Sequence, residues 1–240
     1  MQAESPPLPR GNRLLAALPK ADRALLAPHL NEDAFSLGAL LQEAGQPFEK
    51  VYFPLAGMIS LLAVMENGQG IETATVGIEG VVGAMAGFGP RKSFTRAVAQ
   101  APLRVAWISA PRFQLAIKSS DRLRHMLASY NETLLAQVQQ TAACNALHAA
   151  RARLARWLLQ TRDRTDSDEL PLTQEFLAQM LGVQRTTVTM IARQLEKAGW
   201  IQYRRGKIFI VNRAGLKTVA CECYKAIRAQ LQAALPEVAP

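Results

Sequence analysis

The spacing of apolar residues divides the chain into three zones. From Phe35 to Ile108, short apolar segments are broken by glycine, proline and asparagine, which is typical of an all-β unit. From Arg112 to Arg164 there is neither proline nor glycine, and the pattern predicts one long helix followed by a second. From Leu172 to Val211, apolar residues recur at helical intervals on both sides of one glycine and then form two short strand-like runs.

The clearest strand signal is a hairpin. MISLLAVM, the turn ENGQG and the run IETATV follow one another from Met58 to Val76. Asn67 and Gly68 are expected to supply the positive-φ residues that a tight turn needs, and β-branched residues flank them. A small β-barrel or β-roll is the expected product.

Spacings of four and three residues alternate along the long helix, which is apolar in its first half and polar in its second half. Such a stripe is typical of a helix that pairs with a second copy of itself. The alternative is a helix that lies on its own β domain, since the polar half is a poor coiled coil. The residues of the candidate dimer seam are Leu123, Leu127, Tyr130, Leu134, Val138 and Thr141, and the polar half of the stripe runs through Gln137, Thr141, Cys144 and His148.

The third zone has the signals of two helices joined by a tight turn. Thr173 can cap the first helix, and Gly182 tolerates the backbone of the turn. The second helix is predicted to begin near Arg185. The inward positions of the two helices are Phe176, Leu177, Met180, Leu181, Val188, Ile191, Ala192 and Leu195.

The first turn of the second helix exposes arginine, glutamine and threonine side chains together. A guanidinium can form two hydrogen bonds with guanine, and amides and hydroxyls contact bases or phosphate oxygens. Three threonines add little to helix stability, so a role in DNA recognition explains their presence better. The alternative is an unrelated pair of helices whose polar face is only exposed to solvent. RRGK then lies between two strand-like runs and predicts a hairpin wing over the phosphate backbone. The candidate DNA-binding residues are Thr173, Gln174, Gln184, Arg185, Thr186, Thr187, Thr189, Arg193, Arg204, Arg205 and Lys207.

Positive charge is concentrated in the same part of the chain. The net charge is +9; residues 145–240 carry 15 Lys and Arg against 8 Asp and Glu, and residues 1–144 carry 13 against 11. A basic C-terminal region predicts a polyanionic partner, with a basic surface that serves only solubility as the alternative. The acidic stretch DRTDSDELP, residues 163–171, is a candidate domain link.

The cysteines, the N-terminus and the most apolar stretch indicate the cellular compartment of the protein. Cys144, Cys221 and Cys223 are too few for a disulfide framework and fit a reducing environment. The N-terminus lacks the order of a signal peptide, and the most apolar stretch is too short to span a bilayer. We therefore expect a cytoplasmic protein without membrane contact.

Over nearly its whole length the chain resembles the Crp/Fnr regulators. The resemblance is most specific at LTQEFLAQMLGVQRTTVTMIARQLEKAGWI, where Ala178, Gly182, Val188 and Ile191 match the packing positions of that family's motif. It implies an α+β fold, with a cyclic-nucleotide-binding-like β-roll of the jelly-roll type over residues 13–118, a long dimerisation helix over 119–148 and a winged helix-turn-helix over 149–228. It also implies a sequence-specific transcriptional regulator that binds a two-fold symmetric site on double-stranded DNA as a homodimer. RNA polymerase and a small-molecule effector are the further expected partners.

Within the recognition helix, the resemblance is incomplete. Arg185 is similar to the family's base-reading arginine, whereas Thr186 and Met190 replace the usual glutamate and second arginine. The family's typical operator half-site is therefore not expected.

The sensor end departs further from the family. Members that bind cyclic nucleotides hold the ribose with a Gly-Glu pair and the phosphate with an Arg-Ser pair. Here Val81 occupies the position of the glutamate, and Thr95-Arg96 occupies the position of the Arg-Ser pair. Cyclic AMP is therefore not expected to bind. Members with an iron–sulfur cluster need cysteines near the N-terminus, and the first cysteine here is Cys144, so no cluster is expected either. The candidate effector-binding residues are Gly80, Val81, Gly83, Thr95 and Arg96.

Other chemistries have weak signals. GIEGVVG lacks the glycine spacing of a dinucleotide loop, and no G-x-S-x-G motif supports a hydrolase, so no enzyme is expected. Cys221-Glu-Cys223 with His148 suggests a metal site, but residues two apart on a helix point about 200° apart, and no second ligand pair is near in sequence. No metal site is therefore expected. The alternative function is a signal-binding β-roll whose basic C-terminal region makes nonspecific nucleic-acid or protein contacts.

Overall fold

The computed structural model of the protein describes residues 8–89, 91–165 and 167–235. An antiparallel β unit preceded by two short helices forms the N-terminal part, and the rest is mostly helical. The N-terminal elements are α1 (Arg13–Ala17), α2 (Lys20–Leu26), β1 (Asn31–Phe35), β2 (Leu40–Gln42), β3 (Lys50–Ala56), β4 (Ile59–Val64), β5 (Gly70–Val76), β6 (Arg96–Ala99) and β7 (Leu103–Ser109). Short 3-10 helices cover Ala27–His29 and Ala84–Phe88.

The seven strands form two antiparallel sheets. One sheet has the order β1-β7-β3 and the other has the order β2-β6-β4-β5. Residues from both sheets fill one core, in which Phe53, Ile59 and Val105 are at most 1% exposed. This is the β-roll that the sequence pattern and the family resemblance predict.

The hairpin between β4 and β5 is confirmed, with one change in its turn. Gly68 has a φ of 82°, whereas Asn67 is not among the residues with positive φ. The Asn67 side chain instead accepts the backbone N–H of Gln69 at 3.0 Å. One residue of the turn, and not two, therefore adopts the left-handed conformation, and an Asx turn supports the rest.

Three helices follow the roll: α3 (Ala110–Ser119), α4 (Asp121–Leu147) and α5 (Ala150–Thr165). The sequence predicted two, because no glycine or proline marks the first break. Ser120 makes that break: its backbone is extended, its Oγ accepts the N–H of Leu123, and it donates to Asp22 of α2 at 2.6 Å. The predicted dimerisation helix corresponds to α4. Along the described parts of the chain, no helix is long and apolar enough to cross a membrane.

The stripe predicted to pair two copies of α4 is largely covered within one chain. Leu123, Leu127 and Tyr130 are at most 4% exposed and belong to the core of the β-roll, and Thr141 is 6% exposed. Leu134 and Val138 are half-buried against the same core. Side chains that already pack on their own roll are not free to form a seam, which argues against Leu123, Leu127 and Tyr130, whereas the half-buried Leu134 and Val138 keep part of their surface exposed. The alternative, a helix lying on its own β domain, describes this face.

The remaining elements form a compact C-terminal unit with α5. Its core includes Trp157, Leu177, Val188 and Ile208, each at most 2% exposed. The strands pair in the order β8-β10-β9. The elements are β8 (Glu169–Leu170), α6 (Gln174–Leu181), α7 (Arg185–Lys197), β9 (Ile201–Arg204), β10 (Lys207–Ile210), α8 (Arg213–Val219) and α9 (Cys223–Ala234).

The acidic stretch over residues 163–171, a candidate domain link, is described except for residue 166 and is tied into the C-terminal unit. It begins inside α5 and ends with β8, which pairs with β10. Asp163 accepts hydrogen bonds from Arg213 at 2.7 Å and from the Tyr224 hydroxyl at 2.5 Å. The acidic side chains therefore include one that ties α5 to α8 and α9.

A buried polar network joins the β-roll to α5. Glu72 of β5 accepts hydrogen bonds from Ser60 Oγ at 2.7 Å and from Trp157 Nε1 at 2.9 Å. Burial raises the pKa of Glu72 to about 7, because the charged carboxylate is disfavoured away from water, while these two hydrogen bonds and the charge of Arg156 act in the opposite direction. The sensor and the C-terminal unit thus share a packed interface.

Candidate nucleic-acid interface

Two helices and a sharp turn position the candidate DNA-binding residues. Thr173 caps α6, since its Oγ1 accepts the N–H of Phe176 at 3.1 Å. Gly182 ends α6 with a φ of 61°, a conformation that glycine adopts with little strain. Helix α7 then begins at Arg185. The cap, the turn and the start of the second helix are as predicted.

Helix α7 turns one polar face to solvent. Arg185, Thr186 and Arg193 are exposed, and Met190 on the same face is 54% exposed. Lys197 extends this face by one turn and was missing from the candidate list. Thr186, Met190, Arg193 and Lys197 are separated by four, three and four residues. This helical spacing places Lys197 on the same face and could have predicted it from the sequence.

The remaining polar side chains around the turn differ in exposure. Gln184 is exposed, whereas Gln174, Thr187 and Thr189 are half-buried. Thr189 Oγ1 donates to Gln174 Oε1 at 2.5 Å. This bond joins α7 to the start of α6, so these two side chains help to fix the angle between the helices.

Strands β9 and β10 form the predicted wing. Its turn residues Arg205 and Gly206 have φ values of 49° and 77°, as the two central residues of a type I′ hairpin turn require. Arg204 and Lys207 are paired across the hairpin, so two cations stand side by side below the turn. A Cβ atom added at Gly206 would lie 4.0 Å from Thr173 Cγ2, which places the wing tip next to the start of α6.

Most cations of this surface are not neutralised by the protein. Within the ranges that the structure describes, Arg185, Arg193 and Arg205 form no ion pair, whereas Lys207 pairs with Glu169. Both side chains of that pair are about half exposed, at 50% and 46%, so solvent screens it and it is weak. The surface therefore keeps a positive potential suited to a polyanion.

A cleft separates the helix-turn-helix from the β4–β5 hairpin of the roll. It measures about 840 Å³ and lies between Met65 and Gln69 on one side and Gln184 and Arg185 on the other. The two units touch at its base, where Ile71 fills the space beside the α6–α7 turn. The sensor therefore contacts the turn that orients α7.

Three candidate effector residues lie in the segment after β5. A Cβ atom added at Gly80 would lie 2.2 Å from the Tyr130 hydroxyl, and Val81 is 1% exposed in the roll core. Gly83 has a φ of 85° and precedes the 3-10 helix. Helix α4 thus packs closely on the segment that would hold a ribose in the family's cyclic-nucleotide site.

Of the other two candidate effector residues, Thr95 directly precedes β6 and Arg96 begins it. The Thr95 backbone N–H donates to Ser93 Oγ at 3.3 Å. Arg96 Nε lies 2.9 and 3.1 Å from the two carboxylate oxygens of Glu43, and this hydrogen bonding lowers the pKa of the Glu43 carboxyl. The guanidinium is therefore bound to a carboxylate of its own chain.

The structure also brings together four side chains that are far apart in the sequence. Cys144 and His148 at the end of α4 meet Cys221 and Cys223, with one ligand atom from each within 4.8 Å of the others. A metal site was not expected because Cys221 and Cys223 were placed on one helix. That reason was wrong, since Cys221 precedes α9 and Cys223 begins it. The second pair was overlooked because 77 residues separate Cys144 from Cys221.

Comparison with known proteins agrees with both units of the fold. The cyclic nucleotide-binding domain model matches residues 32–120, and the Crp-like helix-turn-helix domain model matches residues 152–219. The global nitrogen regulator of Nostoc sp. is 26% identical over 69% of this chain and 78% of its own length.

Solved structures show the same arrangement. A CRP/FNR-family transcriptional regulator from Thermus thermophilus is 25% identical, with a TM-score of 0.64 over 79% of this chain and 98% of its own. FixK2 from Bradyrhizobium japonicum has a TM-score of 0.68 at 18% identity over 80% of this chain and 98% of its own, which supports the fold. With a β-roll sensor, a long helix and an exposed recognition helix beside a basic wing, the chain belongs to the Crp/Fnr family of DNA-binding transcriptional regulators, which are not enzymes.

Proposed function

We propose that the protein binds a two-fold symmetric DNA site as a homodimer and reads bases with the first turn of α7. The observation that carries this proposal is the exposed Arg185 at the start of α7, next to Thr186 and beside the basic wing. A helix N-terminus of this kind reaches base edges in the major groove. A nonspecific binder needs only cations, so the mixture of arginine, glutamine and threonine favours sequence reading over the alternative of nonspecific contacts.

The two parts of the surface have different roles in this proposal. Arg185 pairs with a base edge, most favourably guanine, because its two donors match the two acceptors of that base. Arg205 and Lys207 contact phosphates, since a hairpin tip beside the helix meets the flanking backbone. The excess of 15 Lys and Arg over 8 Asp and Glu in residues 145–240 supports a polyanionic partner.

The homodimer forms along the outward face of α4, because the inward face is covered by the roll. Leu135 is 57% exposed and Leu147 is 80% exposed. Ala128, Leu135 and Ala142 follow one another at heptad spacing on the exposed side, and small side chains allow two helices to approach closely. A second copy supplies the second α7, roughly 34 Å away along the DNA.

A matched pair of variants tests the dimer. Leu135→Lys places a charge on the proposed seam, whereas Leu115→Lys changes a leucine of the same 57% exposure on α3. Light scattering on the full chain should give a dimer for the wild type and Leu115→Lys and a monomer for Leu135→Lys. A wild-type monomer, or a Leu135→Lys dimer of unchanged stability, contradicts the seam.

The β-roll responds to a signal other than cyclic AMP and contains no iron–sulfur cluster. Val81 is buried at the position of the family's ribose-binding carboxylate, and Arg96 is paired with Glu43. The loss of each charged hydrogen bond costs about 1.5 to 3 kcal/mol, so the loss of two lowers affinity on the order of 100-fold or more. RNA polymerase is the proposed protein partner, because a DNA-bound regulator acts by assisting or obstructing it.

Site selection tests the function as a whole. The full chain is used to select sites from random duplexes, and the selected site then competes with random DNA at several salt concentrations. We expect a symmetric consensus that binds on the order of 1,000-fold or more tighter than random DNA. Equal affinities, with binding that depends on salt alone, would support the nonspecific alternative.

A further inference from the structure

Four potential metal ligands meet where α4 ends. Cys144 Sγ lies 3.5 Å from Cys221 Sγ, and Cys223 Sγ lies 3.5 Å from His148 Nδ1. One ligand atom from each residue lies within 4.8 Å of all the others. Around a tetrahedral zinc ion, with Zn–S near about 2.3 Å and Zn–N near about 2.0 Å, ligand atoms are separated by about 3.5 to 3.8 Å. The observed spacing therefore needs little adjustment to hold such an ion.

Local structure holds the two pairs of ligands in place. Cys144 lies in the last turn of α4, and His148 caps that helix and donates its backbone N–H to the Cys144 carbonyl at 3.0 Å, so both residues lie at the same end of the helix. Cys221 lies in the bend before α9 and Cys223 is the first residue of that helix, so both thiols turn toward α4. Cys144 and Cys223 are fully buried and Cys221 is 7% exposed, which protects the cluster from solvent.

Neighbouring side chains orient the ligands as partners of a metal site do. His148 Nε2 lies 3.1 Å from Glu222 Oε1, which leaves Nδ1 directed at the thiols. An imidazole that donates its other N–H to a carboxylate is a common arrangement at zinc. Gln140 Nε2 donates to Cys223 Sγ at 3.1 Å, a bond that favours the thiolate.

Buried positive charge lies beside the cluster. Arg153 and Arg156 are 8% and 5% exposed, and each lies close enough to a thiol of the cluster to interact with its charge. In the described part of the chain the Nη1 of each guanidinium donates only to neutral oxygen acceptors, and the Nε of each has no hydrogen-bond partner. Arg153 donates to Asn145 Oδ1 and to the Leu181 carbonyl, and the charge of Arg156 also acts on Glu72. A zinc ion with three thiolates and a neutral histidine carries one net negative charge, which adds a favourable partner for both buried cations.

We propose that Cys144, His148, Cys221 and Cys223 bind one zinc ion. Binding converts three thiols to thiolates and releases their protons to solvent as the Zn–S bonds form. Because the protein supplies all four ligands, the site is structural and leaves no position for a substrate. It fastens the end of α4 to the start of α9, next to the joint between α4 and α5. Zinc thereby fixes the C-terminal unit to the sensor helix, independently of which DNA or effector the protein binds.

Zinc content and ligand variants test the site. The full chain is purified with a reductant and without a chelator, and its zinc is measured by mass spectrometry. We expect about one zinc per chain for the wild type and for His125→Ala, a histidine exposed on the same helix. Cys223→Ser and His148→Ala should hold less than about a tenth of that. If these two variants keep the wild-type zinc content, the assignment of ligands is overturned.

A variant that keeps all four ligands separates loss of zinc binding from loss of folding. Glu222→Gln keeps all four ligands and removes the carboxylate beside His148, so its zinc affinity, measured by competition with a chelating indicator, should fall about 10- to 100-fold. Cobalt in place of zinc should give the intense visible bands and the thiolate charge-transfer band of a tetrahedral site. The proposal is overturned if the reduced, folded wild type takes up no stoichiometric zinc or cobalt. A Cys144–Cys221 disulfide that persists in reductant and excludes zinc overturns it as well.

Discussion

The winged unit and the β-roll both have the family fold, but they differ in which candidate binding residues are exposed. In the winged unit, Arg185, Thr186 and the wing cations lie exposed on one surface, where a ligand can reach them. In the roll, Val81 is part of the core, and Arg96 is bound to Glu43. The family's core positions are thus filled in both units, whereas the two units differ in how accessible their candidate binding residues are. A fold is held by its core, whereas its function depends on a few exposed positions.

The most disruptive change would restore the missing carboxylate in the roll. Val81→Glu buries a charge in an apolar core without a partner and should lower the free energy of unfolding by on the order of 3 kcal/mol or more. Val211→Glu, the same change at a valine that is 56% exposed, should change it by less than about 0.5 kcal/mol. Urea denaturation measures both. A stable Val81→Glu variant that binds cyclic AMP at micromolar concentration would show that the roll retains the nucleotide site.

The next change concerns the interface between the two units. Because the pKa of Glu72 is about 7 in the folded protein, above its ordinary value of 4.5, folding favours the protonated carboxyl. The stabilisation from this group is complete below about pH 4.5 and is lost as the pH rises to about 7, which amounts to on the order of 3 kcal/mol. Glu72→Gln should remove this loss, whereas Glu66→Gln, at an exposed glutamate of the β4–β5 turn, should keep it. Denaturation curves at several pH values give the free energy of unfolding of each variant. If that free energy changes with pH equally in Glu72→Gln and in the wild type, the role of Glu72 is contradicted.

The base-reading role of α7 predicts a smaller but more specific effect. Arg185→Ala should weaken binding to a selected site by about 1 to 3 kcal/mol and remove the preference at one base position of each half-site. Arg122→Ala, at an exposed arginine of α4, is the control and should leave DNA affinity unchanged. Fluorescence anisotropy with labelled duplexes measures both.

The smallest effect is expected at the wing. Arg205→Ala and Lys207→Ala each remove a phosphate contact, so affinity should fall by a similar factor on every sequence. The slope of log affinity against log salt should decrease by about one per subunit. An unchanged salt slope would exclude a contact between these side chains and the DNA backbone.

Local signals account for what could be predicted in the winged unit. Thr173 caps a helix and Gly182 ends it for reasons that lie within a few residues of each, and the RRGK turn follows from the same short-range rules. The exposure of Arg185 and Thr186 follows from the helical period once the start of α7 is known. Such features need no knowledge of the rest of the fold.

What could not be predicted depends on contacts between distant segments. The apolar stripe of α4 has the same spacing whether it faces a second copy or its own roll, and only the position of the roll decides between them. The cysteine cluster depends on the return of α9 to α4 and on a helix that begins at Cys223 and not before Cys221. Helix boundaries of one or two residues are the least certain part of sequence reasoning, and here such a boundary hid a candidate ligand set.

The most direct test is the affinity of Arg185→Ala and Lys207→Ala on a selected site and on each of its single-base variants. Sequence reading by α7 predicts that Arg185→Ala loses discrimination at one position of each half-site, while Lys207→Ala keeps the wild-type order of preference at uniformly lower affinity. If Arg185→Ala weakens all sequences equally and Lys207→Ala changes the base preference, the roles of the recognition helix and the wing are reversed and the proposed mode of DNA reading is contradicted.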